Sequence, residues 1–277
     1  MLIALAEPEG YRLEATDGEI GRCRDFLLDE DQWAVRWMVA DTRSWLPGRK
    51  VLVSPAQLDT PDWSSRRLPV RLTRAQIEQG PPLDADAPVS RRYEQGLNAF
   101  HGLPDYWLGS GLWGDYPLPS SMIGAREAMI EPAPLVPEAP DSAEPVPARD
   151  DGSERLRSLR ELMGYGVLAR ERGADDAGEV QVGRVDDVIV DDAAWAVHYL
   201  VVDRSWLPMS TRVLLPVDRV DSIDWAERTV HTHAGAEQLK DAPSLQGDAP
   251  VTARLAAAVD EHYGRPHHAG GEAVSGT

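Results

Sequence analysis

Trp33-Ala34-Val35-Arg36-Trp37-Met38-Val39 and Trp195-Ala196-Val197-His198-Tyr199-Leu200-Val201 are one pattern written twice, 162 residues apart. Trp33, Val35, Trp37 and Val39 recur at every second position, as do Trp195, Val197, Tyr199 and Val201. That period of two in aromatic and β-branched residues predicts a strand with one buried face, and it sets Arg36 and His198 on the opposite face. The likeness extends outward. Upstream, Asp17-Gly18-Glu19-Ile20-Gly21 leads into Asp25-Phe26-Leu27-Leu28-Asp29, and Gly178-Glu179-Val180 leads through Gly183 into Asp187-Val188-Ile189-Val190-Asp191. Downstream, Trp63 pairs with Trp225, Ala87-Pro88-Val89 with Ala249-Pro250-Val251, and Gly102 with Gly264, all at the same offset of 162. A period this long marks a duplicated domain, since solenoid repeats recur every ~20–50 residues.

Within one unit the pattern predicts many short strands. Ile20 to Leu28 carries Ile20, Cys23, Phe26 and Leu28 between polar residues and ends in the acidic turn Asp29-Glu30-Asp31-Gln32. After the Trp33 strand comes Asp41-Thr42-Arg43-Ser44-Trp45-Leu46-Pro47-Gly48, matched by Asp203-Arg204-Ser205-Trp206-Leu207-Pro208. Val51-Leu52-Val53 and Val213-Leu214-Leu215 follow, and a last pair of strands is expected to flank Trp63 and Trp225. Short strands punctuated by Gly, Pro and Asp favour a small closed β-barrel, which also removes exposed edges. A helical tail is expected after each barrel. Thr73 and Gln76 have capping-box spacing, and a second helix is expected from Asp86 to about Phe100, repeated from Asp248 to Tyr263. The predicted division is 1–102 for the first barrel and its tail, 103–154 for an aromatic loop and linker, 155–264 for the second barrel and its tail, and 265–277 for a disordered tail. Residues 131–154 carry six prolines and seven acidic residues against one arginine, the composition of an extended linker that lets the units move relative to each other.

At 277 residues, 42% of them hydrophobic, the chain can bury a core in each half. Its formal charge of −18 argues against nucleic-acid partners, whose affinity rests on neutralising phosphates, and against anionic membrane surfaces. Cys23 is the only cysteine, so no internal disulfide is expected. Val185 stands at its place in the second copy, which reads as a small buried apolar site. No signal peptide and no membrane-spanning run is visible, so a cytoplasmic protein is expected.

The ordered series Gly-Glu-Ile-Gly, Asp-Phe-Leu-Leu-Asp, Trp-Ala-Val-Arg-Trp and Asp-Thr-Arg-Ser-Trp-Leu-Pro-Gly-Arg-Lys-Val-Leu-Val-Ser-Pro, occurring between Gly18 and Pro55, resembles the PRC-barrel family. That family is named for the cytoplasmic domain of the photosynthetic reaction-centre H subunit, and includes the C-terminal domain of a ribosome-maturation factor. The likeness covers residues 8–75 and 156–237 and is greatest to bacterial proteins with two such barrels in tandem. Glu9-Gly10-Tyr11-Arg12-Leu13 and Leu159-Arg160-Glu161-Leu162-Met163-Gly164-Tyr165 resemble the lead-in strands. The resemblance implies a mainly β protein of two small PRC-type barrels in tandem, each followed by short α-helices. It implies an assembly or interaction module without shared catalytic residues. Unlike the H subunit, the chain lacks a transmembrane helix.

Asp41 and Asp203 end equivalent strands, where acid–base chemistry would need a partner in reach; turn carboxylates bonded to backbone N–H groups are the simpler reading. The Asp186-Asp187 and Asp191-Asp192 pairs lack the alternating ligands and glycine turn of a calcium loop. His231 and His233 would share a strand face, but Pro69 and Arg71 replace them in the first copy and no third ligand is near. Catalytic, cofactor and metal residues are therefore expected to be none. Trp45-Leu46 and Trp206-Leu207 either cap the barrel ends or anchor a partner. The loop holding Tyr106, Trp107, Trp113 and Tyr116 either presents aromatics to a partner or folds back between the units. These eight residues form the candidate interaction surface of a non-enzymatic protein-interaction module whose protein partner is unknown. The alternatives are an assembly factor docking on a membrane or photosynthetic electron-transport complex through protein contacts, and a small-ligand- or metal-binding barrel.

Overall fold

The computed structural model describes residues 1–62, 64–84, 87–124, 156–171, 178–204, 211–246 and 250–265. Trp63, Asp86, Trp206, Leu207, Asp248, the stretch 131–154 and the tail beyond Arg265 lie outside the described residues. In the first half, strands β1 (Leu2–Ala4), β2 (Arg12–Ala15), β3 (Gly18–Asp29), β4 (Ala34–Asp41), β5 (Val51–Val53) and β6 (Arg67–Pro69) precede helices α1 (Arg74–Gln79) and α2 (Arg91–Phe100). In the second half come β7 (Leu156–Ser158), α3 (Leu159–Leu162), β8 (Gly166–Arg170), β9 (Glu179–Asp191), β10 (Val197–Asp203) and β11 (Arg212–Pro216). They are followed by β12 (Val220–Asp224), β13 (Thr229–Gly235), α4 (Ala236–Lys240), β14 (Ser244–Leu245) and α5 (Ala253–His262).

The protein is mainly β, in two mixed sheets ordered β5-β4-β3-β2-β6 and β12-β13-β8-β9-β10-β11-β14. Each contains one parallel pair, β2 with β6 and β8 with β13. Strand pairing does not close either sheet into a barrel among the described residues. The long strands β3 and β9 instead change partner along their length. β3 pairs with β2 through Gly18–Arg22 and with β7 through Leu27–Asp29, and bulges between Cys23 and Asp25 and between Leu27 and Leu28 distort its ladder to β4. The edge that closure was expected to protect is thus occupied by a strand from the other half.

That exchange is reciprocal. β7, from the second half, adds to β3, with Leu27 opposite Ser158 and Asp29 opposite Leu156. β1, from the first half, adds to β9, with Ala4 opposite Ile189 and Leu2 opposite Asp191. Equivalent aspartates secure the ends: Asp25 Oδ1 accepts the Arg160 amide at 3.2 Å, and Asp187 Oδ1 accepts the Ala6 amide at 3.0 Å. At the centre the Val35 amide donates to Trp195 O at 2.9 Å and the Val197 amide to Trp33 O at 2.7 Å. Trp33 and Trp195 both have positive φ, 51° and 53°, a left-handed conformation that costs a non-glycine residue about 1–2 kcal/mol. The two bonds made there offset that strain. Across the same seam Trp225 Nε1 donates to Glu30 Oε2 at 2.7 Å, and Phe26 and Trp195 lie 5.8 Å apart. One continuous apolar core takes residues from both halves, and Leu27, Trp37, Val39, Leu52, Val89 and Leu97 form a smaller one. The halves are held to each other by backbone pairing.

The helix signals hold unevenly. The capping box at Thr73 forms as expected, with the Gln76 amide on Thr73 Oγ1 at 3.2 Å and the Thr73 amide on Gln76 Oε1 at 2.8 Å. The two longer helices begin later than predicted, capped by Ser90 and Thr252. Leu159–Leu162, expected as a lead-in strand, is a one-turn helix, because Ser158 Oγ accepts the Glu161 amide at 3.2 Å. Arg265, expected at the head of the tail, is anchored to Asp260 at 3.0 Å and Asp218 at 2.9 Å.

Candidate functional site

Arg36 lies on β4 between Val35 and Trp37, on the strand face that alternation assigns to solvent. In the structure it is only 1% exposed. A guanidinium can be buried only if its donors and charge are satisfied, and here they are. Nε and Nη2 both donate to Asp29 Oδ2 at 3.2 Å, Nη2 also to Gln32 Oε1 at 3.2 Å, and Nη1 to the Leu112 carbonyl at 2.5 Å. Two aromatic rings lie beside it, Tyr106 at 4.0 Å and Trp113 at 4.9 Å from ring centre to guanidinium carbon. Burial pulls its pKa down while Asp29 opposes the shift, leaving it charged.

The aromatic loop is therefore the lid over Arg36. Tyr106 and Trp113, candidates for partner contact, are 4% and 1% exposed. Tyr106 OH donates to Glu94 Oε2 at 2.7 Å, and Trp37 Nε1 donates to the same oxygen at 2.8 Å. Burial raises the Glu94 pKa against these bonds and the Arg91 charge. Trp113 Nε1 reaches the second half, donating to the Ala194 carbonyl at 2.6 Å. The loop turns back on itself between Gly111 and Gly114, paired amide to carbonyl at 3.0 and 3.2 Å. Gly109 and Gly114 have φ of 133° and 69°, and a Cβ on Gly114 would lie 2.7 Å from Leu108 O, so no side chain fits there. Of the four loop candidates, two are thus core residues. Trp107 and Tyr116 are half-buried, with the Arg91 guanidinium 4.2 Å above the Trp107 ring.

The loop exposes a residue that the aromatic reading passes over. Leu108 is 65% exposed, beside an open groove of about 560 Å³ floored by Gly96 and Ala99 of α2 and bordered by Leu103 and Arg92. Phe100, at the end of α2, is 43% exposed. A solvent-facing leucine next to a helix face of small residues is the kind of apolar surface that partners cover. The signal available in the sequence is the small-residue spacing in Gly96-Leu97-Asn98-Ala99.

Trp45 and Leu46 are half-buried. Trp45 Nε1 donates to Ile20 O at 2.8 Å, and Arg74 stacks 4.7 Å above its ring, so Trp45 packs over the end of β3. Trp206 and Leu207 lie outside the described residues. Asp41 accepts the Arg43 amide at 3.2 Å, and the Arg43 side chain holds its carboxyl below the usual range. Cys23 is buried, and desolvation pushes its thiol far up. His231 bonds Glu179 at 2.8 Å and His233 bonds Asp221 at 2.9 Å, each to a separate carboxylate. Among the described residues no group of three or more His, Cys, Asp or Glu is placed to hold a metal, and no helix is long and apolar enough to cross a membrane.

No curated protein compared with the chain matches it. The family described as PRC-barrel domain matches residues 157–239, which run from β7 through α4 and take in the second half's parallel pair β8–β13. This segment, a little under a third of the chain, is thus similar to the PRC-barrel domain family.

Proposed function

We propose that the protein is a non-enzymatic assembly module of two PRC-barrel units, residues 1–102 and 155–264, that acts in the cytoplasm and binds a protein partner. Three features support this reading: the family match over the second half, the same ordered motifs in the first, and a seam that holds the two units as one body. The observation that carries it is the Leu108 groove, an exposed apolar surface on a loop fixed from beneath by Arg36. Trp107 and Tyr116 flank the same loop; Trp45 and Leu46 offer a second contact area at the end of β3. A rigid platform loses little entropy on binding, which favours recognition over catalysis.

Replacing Leu108 with Asp tests it. Wild-type protein should capture a reproducible partner from its source cells, and L108D should weaken that interaction by more than about tenfold while its melting curve is unchanged. Equal capture by the two proteins would remove the groove from the reading.

A further inference from the structure

In a chain with a net charge of −18, four arginines converge on one open pocket of about 610 Å³: Arg22, Arg24, Arg43 and Arg160. Three elements supply them. Arg22 and Arg24 lie on the exposed face of β3, either side of the buried Cys23. Arg43 comes from the turn after β4. Arg160 comes from α3, carried in by the exchanged segment of the second half, so the interlock of the halves supplies the fourth arginine.

Two carboxylates share the pocket, and each is already committed. Arg160 Nε lies 3.3 Å from Glu9 Oε1, and Arg43 Nη2 lies 2.5 Å from Asp41 Oδ2. Arg22 Nη1 donates to the Gly10 carbonyl at 2.9 Å, a bond that fixes the side chain without neutralising it. Arg24 feels Asp41 but makes no salt bridge among the described residues. Arg22 and Arg24 thus make no salt bridge among the described residues, while Asp25 borders Arg24 and Arg160 in the adjoining crevice. The duplication does not explain them. In the second half Arg184 matches Arg22, but Asp186 replaces Arg24, and Ala6 stands where Arg160 does, its amide on the equivalent aspartate. Asp186 is itself taken by Arg212 at 3.3 Å.

We propose that this pocket binds a small, multiply charged oxyanion, a phosphate- or carboxylate-bearing molecule gripped by Arg22, Arg24 and Arg160. Guanidinium forks match the oxygen pairs of both groups. The volume falls within the roughly 300–1,000 Å³ of small-molecule clefts. Like charges gathered in a concave site raise the local concentration of such an anion, an effect that salt weakens.

Isothermal titration of the full chain with inorganic pyrophosphate and, separately, with citrate tests the assignment. One saturable site is expected, weakened by added salt and at least about tenfold weaker in R24A/R160A. R184A, which removes the second-half equivalent of Arg22, should bind as wild type does. Arg24 makes no salt bridge, so R24Q alone should retain the native melting curve and still lose affinity, which separates a binding defect from misfolding. Saturation by pyrophosphate alone assigns a phosphate ligand, and by citrate alone a polycarboxylate. Absence of saturable heat with both anions, or equal loss in R184A, would overturn the proposal.

Discussion

Replacing Arg36 with Ala is expected to cost about 3–5 kcal/mol of stability, the range for removing one partner of a buried ion pair. The variant leaves the Asp29 carboxylate, 4% exposed, without its cation, and the Leu112 carbonyl without its donor. It also removes the cation that lies beside both the Tyr106 and Trp113 rings, so the loop above should loosen. Against a typical stability of about 5–15 kcal/mol, this change brings the protein near its limit. Urea unfolding measures the loss, and the emission of Trp113, now exposed, should shift to the red before the main transition. R43A is the internal comparison. Arg43 pairs with Asp41 on the surface, where solvent screens the charges, and its removal should leave the midpoint essentially where it is. A small loss in R36A would show that the loop does not depend on its buried cation.

A second large effect should appear as a pH dependence. Asp187 accepts the Ala6 amide of the exchanged strand and the Val188 amide at 2.7 Å. Burial nevertheless pushes its carboxyl up to about 6 from an ordinary 3.8, with Asp186 adding to the shift and Arg212 opposing it. Glu9, Arg24, Asp25 and Arg160 border the same crevice. Between those two pH values the folded chain holds a proton that the unfolded chain has released. Stability therefore falls as pH rises through this window, and above it the charged carboxylate carries its whole penalty, on the order of 3 kcal/mol. An asparagine side chain in this place would keep the acceptor for both amides and never ionise. D187N should thus be more stable than wild type at about pH 8, with the difference vanishing near pH 4. Urea midpoints at the two pH values test it. A gain of equal size at both would mean that the charge is not the cause. Asp25, raised in the same direction by its own burial, should leave part of the slope in the variant.

The alternation around Trp33 and Trp195 makes β4 and β10 legible, and the repeat makes their equivalence plain. The burial of Arg36 does not follow from that alternation, although its face also holds Ala34, Met38 and Ala40. Three apolar residues beside one arginine describe a strand covered on both sides, but the cover comes from Leu112, 76 residues away. The aromatic loop draws attention for its Tyr and Trp, and burial claims Tyr106 and Trp113 because an arginine needs their faces. What remains accessible is Leu108, an aliphatic residue with no distinguishing pattern. The repeat also conceals the strand exchange. A lead-in strand presents the same alternation whether it adds to its own sheet or to its neighbour's, so the duplication alone leaves that choice open. The turn at Ser158 is readable, since Ser158 and Glu161 have N-cap spacing. The arginine pocket is not, because Arg160 reaches it only through the exchange.

The interlocking of the two halves is the claim on which the rest depends, since it carries the loop, the strained tryptophans and the basic pocket together. It is tested most directly by cutting the chain between them. A protease site inserted between Pro140 and Asp141 allows cleavage of the folded protein. With β1 paired to β9 and β7 to β3, the two fragments should co-elute in size-exclusion chromatography and unfold in a single transition. Fragments that separate without denaturant and melt independently would contradict the account.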